Sequence, residues 1–233
     1  MLKHSFQDRL FLQWAIYTGV LSFILWLAWH LGYLVSIFLT DPTKITYLIS
    51  FLFLGGSLHC GIRAKYLSSQ INSINDIESG EVAYSSETSL PADFLNTIEA
   101  RFQDQDLEEN NSADNVLLSE VFAEQAHAQH EVGWFFTSLL IKLGLLGTVI
   151  GFVLMLGPLS TLESFDIGDV QNILADMTAG MAVALNTTLI GLLSSMLLSF
   201  QYLMLDHGAD ELVARTIHYM ETEQISELRL ATE

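Results

Sequence analysis

The hydrophobic positions of the chain are concentrated in four long runs, and polar segments separate these runs. The runs cover residues 10–39, 45–62, 134–157 and 173–205. A helix needs about 20 apolar residues, within a range of about 17–25, to cross the hydrocarbon core of a bilayer. Each run is long enough to do so. The pattern therefore predicts an all-α integral membrane protein with four transmembrane helices.

Helical periodicity continues beyond two of these runs. Ile71, Ile74 and Ile77 follow the second run at helical spacing, so its helix is predicted to continue until Gly80 ends it. The fourth run is likewise followed by apolar residues at helical spacing well beyond Leu205. Long helical extensions are therefore predicted outside the membrane.

The polar segment before the third run predicts two further helices. Pro91 suits the first turn of a short helix with one apolar face. Asn111 or Ser112 can cap a second helix, and no proline or glycine follows until Gly133. This second helix is predicted to run without a break into the third membrane span.

Basic residues near the ends of the apolar runs predict the orientation in the membrane. Cytoplasmic flanks carry an excess of Lys and Arg, counted within about 15–20 residues of the span ends. One side of the predicted membrane carries Lys3, Arg9, Arg63, Lys65 and Arg215, and the other carries Lys44 alone. The termini are therefore predicted to be cytoplasmic, and the loop 158–172 to be extracytoplasmic.

These features divide the chain into four parts. Residues 1–62 form a peripheral transmembrane helix pair, and residues 63–133 form an acidic cytoplasmic helical segment. Residues 134–205 form a second transmembrane pair, and residues 206–233 form a cytoplasmic helical tail. Most of the acidic segment is predicted to be solvated surface, because residues 72–131 carry fourteen acidic residues and only one basic residue, Arg101.

The composition excludes several classes of function. The chain has 27 acidic and nine basic residues, a formal net charge of −18, and no basic patch of the kind that binds nucleic acid. Cys60 is the only cysteine, so no intrachain disulfide can form. The sequence also lacks a catalytic nucleophile arrangement and a phosphate-binding glycine loop. We therefore expect no enzyme activity and no cofactor.

A cluster of potential metal ligands lies just before the third run. Glu124, His127, His130 and Glu131 fall within two helical turns. Histidines three residues apart on a helix can share a metal ion. No second helix offers matching ligands in the sequence pattern, however, so no metal site is predicted.

Small residues form stripes along the third and fourth runs. The third run carries Gly144, Gly147 and Gly151 near one face. The fourth carries Gly180, Ala184, Thr187, Thr188, Gly191, Ser195 and Ser199. Small residues at such spacing let membrane helices approach closely. The two helices are therefore predicted to pack through these stripes.

Two strings in these runs resemble a known family. Leu-Gly-Leu-Leu-Gly-Thr-Val-Ile-Gly at 143–151 and Gly-Met-Ala-Val-Ala-Leu-Asn-Thr-Thr-Leu-Ile-Gly-Leu at 180–192 are similar to the two pore-helix signatures of the MotA/TolQ/ExbB proton-channel family. The four-span layout resembles the MotA branch, whereas TolQ and ExbB have three spans. The resemblance implies that 134–205 is the pore-lining pair of a channel subunit in the bacterial inner membrane.

The predicted pore helices lack a group that could carry a proton. Residues 134–157 and 177–205 contain no carboxylate, and Lys142 is their only charged residue. An uncompensated charge at the bilayer centre costs at least about 2.5–3.5 kcal/mol, so a separate subunit must supply the acid. The resemblance implies a dimer of a single-span MotB, TolR or ExbD type of partner with a membrane aspartate. It also implies a homopentamer of this chain around that dimer.

The resemblance also implies which residues face the ion. Thr148 and Thr188 match the threonines of the two family strings, and Thr187 adds a neighbouring hydroxyl. Paired threonines also occur in sodium-driven members, but those members have a proline before the last helix, which residues 172–177 lack. The sequence therefore favours protons over sodium.

The loop between the two pore helices predicts an acidic channel mouth. This mouth would consist of Glu163, Asp166, Asp169 and Asp176, with Asp176 at the start of the last helix. No basic residue lies between positions 158 and 176. Such a cluster would concentrate cations on the extracytoplasmic side.

A second interpretation needs no ion. The threonines could serve only as packing residues, because threonine in a membrane helix often bonds to a carbonyl one turn earlier. The chain would then be a non-conducting membrane scaffold or sensor, and the acidic cytoplasmic segment would bind its partner. A neighbouring gene for a single-span protein with a membrane aspartate would favour the channel, and its absence would favour the scaffold.

Overall fold

The structure is a computed structural model that describes residues 9–80, 89–103, 111–128, 130–157 and 167–224. Its helices are α1 (Arg9–His30), α2 (Tyr33–Thr40), α3 (Ile45–Glu78), α4 (Leu90–Gln103), α5 (Asn111–His127), α6 (Glu131–Leu156) and α7 (Ile167–Tyr219), with a π-helical turn at Met220–Gln224. No strand occurs in these ranges. Helices α1, α3, α6 and α7 are long and apolar enough to cross a membrane. The predicted all-α class with four membrane helices is confirmed.

The chain divides into two compact units. The first unit contains Met1–Ala15, Cys60–Glu131 and Leu203–Glu233. The second contains Ile16–His59 and Val132–Tyr202. The second unit therefore holds most of the apolar sequence of the four long helices.

The core of the first unit forms around α4. Ser89 accepts a hydrogen bond from the Ala92 amide at 3.3 Å, so it caps the helix, and Pro91 lies in the first turn as predicted. Phe94 stacks on Phe122 of α5, with ring centroids 4.7 Å apart. The large side chains that this unit buries completely include Leu67, Ile74, Leu95, Ile98, Leu205 and Leu212. This apolar core holds the helical extensions together.

The extension of α3 ends where the sequence predicts. The helix continues to Glu78, and Gly80 has a φ of 69°. A positive φ is unstrained only for glycine, so this residue can end the helix. The prediction of a helix that runs from the second apolar run to Gly80 is confirmed.

The prediction of one unbroken helix from residue 111 or 112 into the third membrane span is wrong. Helix α5 ends at His127, and α6 begins at Glu131. The amide of His130 donates to the carbonyl of His127 at 2.7 Å, so the backbone forms a tight turn between the two helices. No proline or glycine causes this turn. It instead coincides with contacts that His127 and His130 make to α7.

The first apolar run contains a break that its composition conceals. Helix α1 ends at His30, and Gly32 has a φ of 80° before α2 begins. The amide of Gly32 donates to the carbonyl of Trp29 at 3.0 Å. The run 10–39 is thus two helices, because Gly32 adopts the left-handed conformation that ends a helix.

The turn between α2 and α3 is organised by one carboxylate. Asp41 accepts hydrogen bonds from the amides of Thr43 at 2.9 Å and Thr46 at 2.8 Å. Burial raises the pKa of Asp41, but the hydrogen bonds from Thr43 and Thr46 outweigh burial and leave this pKa below its usual value. Pro42 lies in this turn, where its ring fixes the backbone φ.

Helix α7 begins earlier than predicted and continues past the apolar run. It starts at Ile167, inside the predicted loop 158–172, and it ends at Tyr219. At 1.5 Å per residue, a helix of 53 residues is about 80 Å long. The predicted continuation beyond Leu205 is confirmed.

Candidate functional site

Helices α6 and α7 pack as an antiparallel pair in the second unit. The contacts join Gly151 to Ala184, Gly147 to Thr187, Gly144 to Gly191 and Gly133 to Tyr202. Residue numbers rise along α6 as they fall along α7, which gives the antiparallel direction. We call this line of contacts the α6–α7 seam.

The two backbones nearly touch along the seam. A methyl group added at Gly151 would lie 2.6 Å from the amide nitrogen of Ala184. One added at Gly191 would lie 2.8 Å from the Cα of Gly144, and one at Gly180 would lie 2.6 Å from the amide nitrogen of Met155. These distances are too short for any side chain, so the glycines set how closely the helices approach.

Thr188 forms a hydrogen bond across the seam. Its Oγ1 donates to the carbonyl of Gly144 on α6 at 3.1 Å, and its side chain is half-buried. A hydroxyl donates one hydrogen and keeps lone pairs as acceptor sites. Thr188 can therefore bridge the two helices and still accept a hydrogen bond from another group.

Thr187 lies in the middle of the seam. Its side chain is completely buried against Gly147, and Oγ1 is shared between the carbonyls of Val183 at 2.9 Å and Ala184 at 3.1 Å. Both acceptors belong to its own helix. In this arrangement Thr187 fills the space that Gly147 leaves open.

Thr148 forms its hydrogen bond within its own helix. Its Oγ1 donates to the carbonyl of Leu145 on the same helix, at a partly exposed position. The structure brings Thr187 and Thr188 to the seam, whereas the hydroxyl of Thr148 bonds within α6.

Ser195 extends the polar contacts of the seam. Its buried Oγ donates to the carbonyl of Thr137 on α6 at 2.9 Å. The sequence includes Ser195 in the small-residue stripe but gives no partner for it. A hydroxyl on the small-residue stripe is the sequence signal that could have indicated this interhelical bond.

A set of hydrogen bonds between α3 and α7 in this unit was not predicted. The hydroxyl of Tyr202 donates to the carbonyl of Gly56 at 3.2 Å and lies 2.9 Å from Nδ1 of His59. Ser57 donates to Oε1 of the buried Gln201 at 2.9 Å. These bonds fasten α7 to α3. Sequence periodicity could not reveal them, because the partners are more than 140 positions apart.

The structure covers only part of the predicted acidic mouth. Glu163 and Asp166 lie outside the described residues. Asp169 and Asp176 belong to α7, and the side chain of Asp176 is exposed. The placement of Asp176 at the start of the last helix is wrong, because that helix begins nine residues earlier, at Ile167.

Lys142 does not enter the seam. Its side chain is exposed, whereas the α6 positions that face α7 are small or apolar. The ammonium group can therefore extend toward the membrane interface.

Two histidines form a titratable cluster in the first unit. Nδ1 of His130 lies 3.0 Å from Oδ1 of Asp206, and Nε2 of His127 lies 3.1 Å from Oδ1 of Asp210. His130 is only 2% exposed, and its Nε2 has no hydrogen-bond partner. Burial lowers the pKa of His130, Asp206 raises it, and nearby Arg63 and His127 lower it, so the net shift is downward.

The sequence suggested these histidines as candidates but not their partners. Asp206 and Asp210 lie about 80 positions away, on α7. His127 also bonds through Nδ1 to the carbonyl of Ala123 at 2.8 Å. Among the residues that the structure describes, no group of three or more His, Cys, Asp or Glu is arranged to hold a metal ion. The four residues instead form two His–Asp pairs.

Four apolar helices of membrane-spanning length and a close-packed pair of small-residue helices define a multi-pass membrane protein. Residues 89–217 match the MotA/TolQ/ExbB proton channel family, and this match covers more than half of the chain. The chain therefore belongs to the MotA/TolQ/ExbB proton channel family. No curated protein and no solved structure matches it.

Proposed function

We propose that this chain is the ion-conducting subunit of a motor in the bacterial inner membrane. It would work with a single-span MotB, TolR or ExbD type of partner that carries a membrane aspartate. Proton flow past the α6–α7 pair would then drive mechanical work. Membership of the proton channel family is the observation that carries this proposal.

The distribution of acidic residues supports a separate proton carrier. The apolar parts of α6 and α7, residues 132–156 and 177–205, contain no Asp or Glu. A proton that crosses the membrane needs a titrating group, because a bare charge in hydrocarbon is costly. A carboxylate on a partner helix would supply that group.

The exposed surface of the pair offers room for such a helix and for further copies of the chain. Leu185, Leu189, Leu192 and Met196 form an exposed apolar stripe on α7 at helical spacing. Thr188 borders this stripe. A partner helix on the stripe could present its aspartate to the lone pairs of the Thr188 hydroxyl, and other exposed faces would serve the homopentamer.

We assign Thr188 to the ion path. Its hydroxyl is half-buried and bonded across the seam, so it is held in place beside the exposed stripe. We keep Thr148 in the proposed path because its position on α6 is partly exposed and free to face a partner. Thr187 would support the path by packing.

The arrangement of Thr187 favours protons over sodium. A sodium ion needs several oxygens to replace its water, and the Thr187 hydroxyl is buried and bonded to its own helix. The nearby carbonyls of Val183 and Ala184 accept the Thr187 hydroxyl, and the carbonyl of Gly144 accepts the Thr188 hydroxyl. A proton needs only the partner carboxylate and a hydrogen-bonded relay.

Co-purification from the native membrane tests the proposal. The full chain should co-purify with a single-span protein that has a membrane aspartate. Native mass spectrometry should show five copies of this chain to two copies of the partner. Vesicles that contain both proteins should conduct protons, and vesicles with this chain alone should not. Recovery of this chain without a single-span partner would favour the scaffold or sensor instead.

A further inference from the structure

A cavity of about 240 Å³ lies within the first unit. Three helices line it, namely the start of α1, the extension of α3 and the last turns of α7. Its polar lining includes Arg9, Gln13, Asn72, Asn75, Glu211 and Arg215. Two apolar contacts hold the start of α1 in place: Leu10 packs on Gly208, and Trp14 packs on Gly61. The cavity is therefore part of a packed arrangement of three helices.

The charge of this cavity is opposite in sign to the net charge of the chain. The chain has nine basic residues and a net charge of −18, yet two of its arginines line one cavity. Glu211 is the only acidic residue in the lining. With two guanidinium groups and one carboxylate, the cavity carries a net positive charge inside an acidic protein.

The lining is rich in hydrogen-bond donors. Arg215 donates to Oδ1 of Asn75 and lies 2.8 Å from Oε1 of Glu211, and these contacts fix the orientation of its guanidinium. A guanidinium carries five N–H donors, so two contacts leave others for a ligand. Arg9 adds a second guanidinium, while Gln13 and Asn72 add amide groups. Planar guanidinium groups and amides are typical of sites that bind phosphate.

The apolar part of the lining indicates more than a bare inorganic ion. Leu10 and Ile71 lie in the same cavity wall as the polar groups. They could contact the carbon part of an ester, while the arginines bind its phosphate.

We propose that this cavity binds a phosphate ester, with Arg9 and Arg215 on the phosphate group. The ester could be the headgroup of an anionic phospholipid, because Arg9 begins the first membrane helix. It could equally be a soluble phosphate ester. Either ligand would connect α1 to α3 and α7 through one anion. The proposal does not depend on ion conduction.

Two probes distinguish the two sources. Calorimetry of the full chain in an uncharged detergent measures binding of glycerol 3-phosphate. Native mass spectrometry after reconstitution in phosphatidylcholine that contains phosphatidylglycerol measures retention of the anionic lipid. Saturable binding of glycerol 3-phosphate indicates a soluble ester. Retention of phosphatidylglycerol without such binding indicates the lipid.

Substitutions locate the binding. Arg9→Gln and Arg215→Gln should each weaken binding of the active probe about ten-fold or more, because each removes a charge-assisted contact. Arg215→Lys keeps the charge but loses the planar fork, so its effect should be intermediate. Lys65→Gln is the matched control, since Lys65 is exposed and lies outside the cavity lining.

Several outcomes would overturn the proposal. The proposal is wrong if neither probe binds the wild-type chain. It is also wrong if the wild type and both glutamine variants bind the probe equally well. An equal loss in Lys65→Gln would show a general effect of net charge instead. Should Arg215→Gln fail to fold because its contacts to Glu211 and Asn75 are lost, Arg9→Gln and Asn72→Leu still test the site. Circular dichroism verifies folding in each case.

Discussion

Thr187 and Thr188 are adjacent in the sequence but lie in different environments. Successive residues of a helix point about 100° apart, so two neighbours meet different groups even on the same opposing helix. Thr187 is buried against Gly147, and its hydroxyl bonds only to its own helix. Thr188 is half-buried and bonds to the opposite helix. This difference lets one substitution test the ion path and the other serve as its control.

Thr188→Val should strongly reduce proton flux. Valine keeps the shape of threonine but removes the hydroxyl, and a hydrogen bond to a charged group is worth about 1.5–3 kcal/mol. Losing that much stabilisation of the transition state would reduce the proton flux roughly ten- to a hundred-fold. Thr187→Val should leave proton flux close to wild type. Flux is measured in vesicles that contain the partner, and wild-type flux in Thr188→Val would remove this residue from the path.

His130 should make stability depend on pH. The folded state lowers its pKa below about 6.5, the usual value for histidine. The stability that comes from keeping His130 neutral is therefore complete above about pH 6.5 and declines as the pH falls toward the lowered pKa. Asp206, Arg63 and His127 are the charged or titratable groups that act on it.

Substitution of His130 should flatten this pH dependence. His130→Asn retains a donor for Asp206 but cannot titrate, so the fall in Tm between about pH 7 and pH 5 should become smaller. His207→Asn is the control, because His207 is exposed and bonds to the carbonyl of Leu203 in its own helix. Tryptophan fluorescence during heating measures Tm. An unchanged slope in His130→Asn would assign the acid sensitivity to other groups.

At the level of helices, the α6–α7 seam depends on the absence of side chains. Gly151 and Gly191 lie against the backbone of the opposite helix, so even a methyl group requires the helices to separate. Separation would also lengthen the bond from Thr188 to Gly144 and the bond from Ser195 to Thr137. The seam thus couples helix spacing to the position of the Thr188 hydroxyl.

Gly151→Ala should destabilise the protein by about 1–3 kcal/mol, the usual cost of an overpacked contact. Gly55→Ala is the control, because nothing lies within 4 Å of the position of its added methyl group. Alanine favours helix more than glycine does, so the control should be as stable as the wild type or more stable. Thermal unfolding in detergent compares the two variants. Equal stability would mean that the seam adjusts without cost.

The sequence could predict helix ends that depend on local residues. Pro91 indicated the first turn of α4, and Gly80 indicated the end of α3. Gly32 was not recognised, because glycine is also common inside membrane helices. The break before α6 could not be predicted, since it involves His–Asp contacts between residues about 80 positions apart.

The candidate site was predictable only in part. Small residues at regular spacing indicated the contact face of α6 and α7, because close approach requires them. Spacing alone could not show that Thr188 bonds to Gly144 while Thr148 bonds within its own helix. Those bonds depend on the rotation of each helix about its axis, which only the packed structure defines.

At the scale of the whole molecule, the orientation in the membrane remains a prediction. It rests on the excess of basic residues on one side of the predicted spans. The same orientation would place the cavity that contains Arg9 and Arg215 on the cytoplasmic side. A measurement of which side of the membrane each segment faces therefore tests the orientation that both proposals assume.

Labelling of single cysteines should show the orientation. In a Cys60→Ser background, Ser164→Cys should react with a membrane-impermeant maleimide added outside, and Ser79→Cys should react only after the cytoplasmic side is opened. Ser79 follows α3 and is exposed. Reaction of Ser164→Cys from the cytoplasmic side alone would reverse the assigned orientation.

Along α7, buried positions recur every seven residues from Ala184 to Thr216. One row contains Ala184, Gly191, Leu198, Leu205 and Leu212, and a second contains Ser195, Tyr202, Ala209 and Thr216. A straight helix drifts by about 20° per heptad, so a helix that keeps this repeat must wind left-handed around its neighbours. Deleting a single residue would turn every later position by about 100° and bring Leu205 and Leu212 out of the core. Helix α7 should therefore be far more sensitive to a change of one residue in its length than to a substitution on its exposed face.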